Sequence, residues 1–222
     1  MVTKSEKDEK KYTREQRMVL NYRNMAFIFL FCFTMAGFCI PFPKLHLPTL
    51  LDRVVFTLRW LIVSLVTIST GVVVVGNTRF KTSAINPLDP EERKYTELPQ
   101  RYLQNTLEQF MLHSFSLFAL STYLSEQNMH WIPLLVALFV IARVVYFVGY
   151  FIEPIKRIPG FVLTFLPTLA VGGYCLYCMC VYGVQTPHST GTESSWHPRP
   201  ARHWIKTINV TVLQLNVGYH IS

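Results

Sequence analysis

The sequence predicts an all-α integral membrane protein of five helices, and three observations lead there. Charged residues are 15% of the 222 and hydrophobic residues 50%, where a soluble domain carries roughly a quarter charged residues; this composition argues against a water-soluble enzyme. Residues 24–43, 60–78 and 158–192 each run without an Asp, Glu, Lys or Arg, and a helical span needs about 20 such positions. The Lys and Arg residues, finally, alternate between rich and poor segments as the chain passes from one apolar run to the next.

The first 24 residues hold seven Lys or Arg and four acids with hardly any apolar pattern, so residues 1–24 read as a solvated basic tail. The apolar run that follows lacks a small-residue cleavage site, which makes residues 25–43 a retained span and not a signal peptide, with its helix over 25–40. Four more helices are expected over 54–76, 102–124, 131–152 and 161–184. Short turns containing proline join them, except for a long polar loop over 77–100. Residues 185–222 read as mostly irregular, with a weak alternation over 208–217 that would suit a strand, and no internal repeat is visible.

Orientation follows from the charges, because cytoplasmic loops hold the excess of Lys and Arg. With the N-terminus in the cytosol, fourteen fall on the cytosolic side against five outside, while Arg59 and Arg143 lie within spans. The net charge of +8 is then a consequence of topology and calls for no nucleic acid; the basic tail would at most favour anionic lipid. The single sequon, Asn209-Val210-Thr211, falls on the lumenal or extracellular side, where glycosylation occurs. An endomembrane (endoplasmic reticulum, Golgi or lysosome) or the plasma membrane would accommodate such a multi-pass chain.

All five cysteines, Cys32, Cys39, Cys175, Cys178 and Cys180, lie in apolar stretches and read as small buried hydrophobes. Cys175, Cys178 and Cys180 have no nearby His or carboxylate to complete a metal site. The histidines of the tail, His188, His197, His203 and His220, have no finger-like spacing and read as solvated. His113 follows Glu108 by five residues and points away from it by about 140°, as a hydrogen-bonded packing histidine would.

Ionisable groups inside spans cost about 2.5–3.5 kcal/mol each on insertion scales and need a partner or a task. Arg59, near the outer end of its helix and beside Trp60, is explained by snorkelling to the interface. Arg101, Asn105 and Glu108 are spaced i, i+4, i+7, and Arg143, Tyr146 and Tyr150 are spaced i, i+3, i+7. Each set therefore occupies one face of its helix. Both stripes start at the cytosolic boundary and reach matching depth, with Arg157 just past the fourth helix. Two readings stay open: a structural Glu108–Arg143 ion pair, or a polar pocket open to the cytosol for a small zwitterion or anion.

These residues resemble the MAPEG superfamily, the membrane-associated proteins of eicosanoid and glutathione metabolism. Arg101-Tyr102-Leu103-Gln104-Asn105-Thr106-Leu107-Glu108 matches its R-x-x-x-N-x-x-E, and Arg143-Val144-Val145-Tyr146-Phe147-Val148-Gly149-Tyr150 matches its R-x-x-Y-F-x-G-Y. The resemblance implies a left-handed four-helix bundle over residues 54–184, preceded by one additional N-terminal transmembrane helix. It also implies a homotrimer that binds glutathione between protomers near the cytosolic face. Arg101, Asn105 and Glu108 would hold the peptide from one protomer, Glu108 meeting its ammonium; Tyr146, Tyr150 and Arg157 would come from the next. Arg157, seven residues after Tyr150, stands where the family's conjugating synthases place the arginine that stabilises the thiolate, which marks it as the candidate catalytic residue. An enzyme of this type would conjugate glutathione to, or reduce with it, a hydrophobic electrophile or lipid hydroperoxide entering from the bilayer. The superfamily also includes non-enzymatic binders, and the additional helix resembles its mattrin-like branch, implicated in endomembrane trafficking, so a non-catalytic scaffold is the alternative.

Overall fold

The computed structural model describes residues 14–42, 45–82 and 90–182, and the regular structure in them is entirely helical. Five helices follow in order: α1 Arg14–Cys39, α2 Leu50–Lys81, α3 Pro90–Tyr123, α4 Trp131–Ile152 and α5 Ile158–Tyr182. Short 3-10 turns at Glu126–Asn128 and Pro154–Arg157 precede α4 and α5. Asn209, the tail histidines and the expected strand at 208–217 lie outside the described residues.

Helix α2 is begun by its sequence. The Thr49 hydroxyl accepts from the Asp52 backbone N–H at 3.1 Å while the Asp52 carboxylate accepts from the Thr49 N–H at 3.1 Å. This reciprocal capping box satisfies two otherwise orphaned donors. Asp52 in the first turn and Arg79 and Lys81 in the last each oppose the helix dipole favourably. At 32 residues the helix is about 48 Å long, well beyond the roughly 30 Å of a hydrocarbon core.

Two of the expected boundaries are corrected. The polar loop expected over 77–100 is largely helix, because α2 continues to Lys81 and α3 starts at Pro90; α1 likewise starts at Arg14, ahead of the apolar run. Loss of hydrophobicity marks where a span leaves the bilayer, not where its backbone stops coiling. Proline at a first helical position has the φ a helix needs, and the Glu97–Arg101 pair at 2.7 Å supports the aqueous turns at i, i+4.

Contacts between the helices fix the topology. Arg53, at the start of α2, donates to the Leu124 carbonyl at the end of α3, while Gly71 faces Tyr102 and Leu103, so α2 and α3 run antiparallel. Phe110 meets Phe139 and Thr106 meets Arg143, making α4 antiparallel to α3. Ser116 meets Cys175, and Gly160 meets Tyr146, which places α5 antiparallel to α4 and parallel to α3. The bundle thus has a Glu126 end and an Arg157 end. Four segments, carrying α1, α2, α4 and α5, are long and apolar enough to cross a membrane. Helix α3 is less apolar, but it lies along α2 from one end to the other and so crosses the same slab.

The additional helix α1 packs on α5, where Ala26 joins a cluster with Ala142 and Leu163, and reaches α4 where Gly37 abuts Trp131 and Leu134. The Glu126 end has an aliphatic core around Leu117, Leu120, Met129 and Ile132. The Arg157 end has an aromatic one, of Tyr102, Tyr146 and Tyr150.

Candidate functional site

Arg143 is the centre of the arrangement. Its α4 neighbours Ile132, Val136, Phe139, Ala142, Tyr146 and Tyr150 are buried, a stripe of threes and fours that turns position 143 inward. The residue is 0% exposed. Its guanidinium donates to Asn105 Oδ1 at 3.2 Å and to Thr106 Oγ1 at 2.7 Å, and it sits 4.1 Å from the Tyr146 ring centroid and 5.6 Å from that of Tyr102. Cation–π attraction of this kind reaches about 2 kcal/mol when desolvated, and with two hydrogen bonds it offsets much of the cost of a cation at this depth. The Nε is buried without a partner among the described residues.

The Glu108–Arg143 ion pair, one of the two readings the spacing left open, does not form within the protomer. Glu108 lies two residues past Thr106, about 200° round α3, and is exposed. One of its carboxylate oxygens accepts from Gln104 Nε2 at 3.1 Å. Spacing gives depth along a helix and the members of a face; it does not say which way the face points.

The first stripe therefore forms an outer surface: Arg101 and Glu108 are exposed, and Asn105 stands half-buried at its edge. Among the described residues Arg101 pairs with Glu97 on its own helix, with both side chains more than half exposed. The second stripe is interior, with Tyr146 2% and Tyr150 4% exposed. The two meet where Asn105 touches Arg143.

Arg157 is set by two close backbone approaches. A Cβ on Gly149 would stand 2.2 Å from the Lys156 carbonyl oxygen, and one on Gly160 would stand 2.3 Å from the Tyr146 nitrogen. Only glycine lets the Pro154–Arg157 turn fold onto α4 and α5 start against it. The turn leaves the Arg157 guanidinium exposed over the Tyr150 ring, 4.9 Å from its centroid. Lys156 pairs with Glu153 at 3.3 Å, and no carboxylate among the described residues pairs with Arg157.

Sequence reasoning missed three participants. Tyr102 and Thr106, one turn apart on the buried face of α3, complete the cage around Arg143, and Gln104 holds Glu108. Tyr102 and Thr106 carry a legible signal, since a polar i, i+4 pair beside an intramembrane arginine marks the side on which its acceptors lie. His113 is a correction. It is buried, stacked on Phe139 with centroids 4.3 Å apart, but its Nε2 has no hydrogen-bond partner among the described residues. It lines a small cavity with Ser116, Leu135 and Thr168 where Pro167 interrupts the α5 hydrogen-bond ladder.

Comparison with known proteins adds a family to this geometry. Residues 54–177 match the MAPEG family. The chain is 35% identical over 157 residues to Transmembrane protein 79 of Mus musculus, and 33% identical over 142 residues to Transmembrane protein 79 of Bos taurus. These matches cover 70% and 64% of this chain but only 40% and 36% of the relatives, so the chain spans well under half of their length. No solved structure matches the chain.

Proposed function

The chain belongs to the MAPEG family, and from that premise we propose that it assembles as a homotrimer and binds glutathione between protomers, at the Arg157 end. The observation that carries the reading is Glu108: an exposed carboxylate on a helix that runs the length of the bundle. A charge facing lipid there costs about 2.5–3.5 kcal/mol, a cost relieved if a neighbouring protomer and a cationic group cover it. Along about 10 Å of α3 the outer stripe presents a cation at Arg101, an amide at Asn105 and a carboxylate at Glu108. The complement is a ligand with an anionic end and an ammonium end, as the tripeptide has.

In this reading Arg101 and Asn105 hold carboxylate or carbonyl oxygens and Glu108 holds the ammonium. The neighbour's Arg157 faces the sulfur, seated over its own buried Tyr150 ring, with Tyr146 packed behind it. An adjacent guanidinium favours the thiolate, the nucleophilic form. The thiolate then forms a carbon–sulfur bond with a hydrophobic electrophile from the bilayer, such as an epoxide, whose ring C–O bond breaks as its oxygen takes the electron pair and then the proton lost from the thiol. With a lipid hydroperoxide, two glutathiones instead form a disulfide as the O–O bond is cleaved to alcohol and water. The charge bias and the sequon support a cytosolic N-terminus, which places the site on the glutathione-rich side of an endomembrane.

A scaffold without turnover is the second reading, favoured by one feature: the interior stripe is engaged within the protomer, where Arg143 links α4 to α3. Thermal melting in detergent separates the two. Ligand at 100 times its dissociation constant adds about 2.7 kcal/mol of stability, so millimolar glutathione raises the melting temperature if the site is real. Intact trimers whose melting does not respond would favour the scaffold.

A further inference from the structure

We infer that Arg143 is a positioning residue, which fixes the Asn105 side-chain amide with its NH2 turned outward beside Glu108; the inference rests on the glutathione-binding reading above and adds to it a residue that would not itself touch the ligand. A guanidinium has donors only. Asn105 must therefore present its oxygen to Arg143, and the 3.2 Å contact is made to Oδ1. A flipped amide would set N–H against N–H. The choice of amide orientation, often ambiguous, is settled here by the chemistry of the partner.

The guanidinium cannot rotate to accommodate a flip, because three features hold it. Its second nitrogen donates to the Thr106 hydroxyl at 2.7 Å. That hydroxyl donates onward to the Tyr102 carbonyl at 2.8 Å, so it has a lone pair and no hydrogen to offer Arg143. The Tyr146 ring lies 4.1 Å away and confines the plane. The direction of donation thus runs from Arg143 through Thr106 to the α3 backbone, with Asn105 as a side branch. The Asn105 Nδ2 has no partner among the described residues, and the residue is half-buried at the edge of the exposed stripe. Its two hydrogens are what Arg143 makes available there, one helical turn before the Glu108 carboxylate. This also gives the buried cation a task that a Glu108 pair would have removed, since the Glu108 charge, hydrogen-bonded by the neutral Gln104 amide, is left for the ligand.

The test is a double-mutant cycle on the full chain in nanodiscs, read as glutathione affinity by calorimetry, with trimer content and melting temperature followed in parallel. Arg143→Lys keeps the cation but loses the planar fork that spans Asn105 and Thr106. It is expected to weaken glutathione about tenfold with trimers retained, and Asn105→Ala about the same. In the Asn105→Ala background Arg143→Lys should then cost nothing more. Equal losses in both backgrounds, or no loss in either, would overturn the inference. Asn105→Asp guards against misfolding of the arginine variants: an aspartate accepts from Arg143 as well as the amide does but has no N–H. It is expected to melt like the wild type and bind as weakly as Asn105→Ala; wild-type affinity would overturn the inference.

If the wild type binds no glutathione, it is the proposed function that fails. The positioning is then read by solid-state NMR of the Asn105 side-chain NH2, identified by its loss in Asn105→Ala. A rigid amide in the wild type and a mobile one in Arg143→Lys supports the inference; equal mobility in both overturns it.

Discussion

Glu108 and Arg157 carry different tasks in the proposed site, so their substitutions should fail differently. Glu108→Gln retains an oxygen to accept from Gln104 but loses the charge. A charge-assisted hydrogen bond is worth about 1.5–3 kcal/mol, so glutathione binding should weaken at least tenfold by titration. Melting without ligand should barely move, because Arg143 does not depend on Glu108. Had the two formed a buried pair, the same change would strand a cation and cost about 3–5 kcal/mol; a large fall in melting temperature would therefore contradict the geometry. Arg157→Ala should lower turnover of an electrophilic substrate more than affinity, since the cation acts on charge at sulfur. Arg157→Lys should restore turnover only in part, because guanidinium and ammonium differ in geometry and hydration; full recovery would argue against a specific guanidinium role. At this scale the two stripes were legible, since i, i+3, i+4 and i+7 spacing groups residues by face. The partners were not. Arg143 is held by an amide, a hydroxyl and two rings, none of which a search for an opposite charge would single out.

Helix–helix approach at the Arg157 end depends on atoms that are missing. Gly160→Ala would place a methyl group 2.3 Å from the Tyr146 backbone nitrogen, and backbone cannot step aside as a side chain can. Overpacking of this kind costs about 1–3 kcal/mol, so the variant should melt earlier and bind glutathione less well as Tyr146 and Arg157 shift. Gly173→Ala, in the same helix with nothing within 4 Å of the added carbon, is the control and should melt no earlier. Equal melting of the two variants would contradict the close packing of α4 and α5. Element existence was readable from apolar run length, and element ends were not. Residues 90–101 are too polar to register as a span, yet a proline start and the Glu97–Arg101 pair suffice for a helix. The seating of α1 was equally hidden, since it rests on Ala26 and Gly37, two small residues in a run that hydropathy sees only as apolar.

The whole molecule has an orientation in the membrane and, in the proposed site, an assembly. The charge count, fourteen Lys or Arg against five, predicts that a glycosylation acceptor fused to the N-terminus stays unmodified in cells while the sequon at Asn209 is available; a modified N-terminal acceptor would reverse the topology. The family fold was legible because two motifs fell on consecutive spans at matching depth. The composition of the site was less so, because half of its residues are expected from a neighbouring copy, which no single-chain pattern describes. Native mass spectrometry of the protein released from nanodiscs in glutathione joins these levels, since it weighs subunits and ligand together. The account predicts a trimer carrying up to one glutathione per interface, and a Glu108→Gln trimer that carries none under the same conditions. A trimer that takes up no glutathione, or a monomer that does, would contradict it.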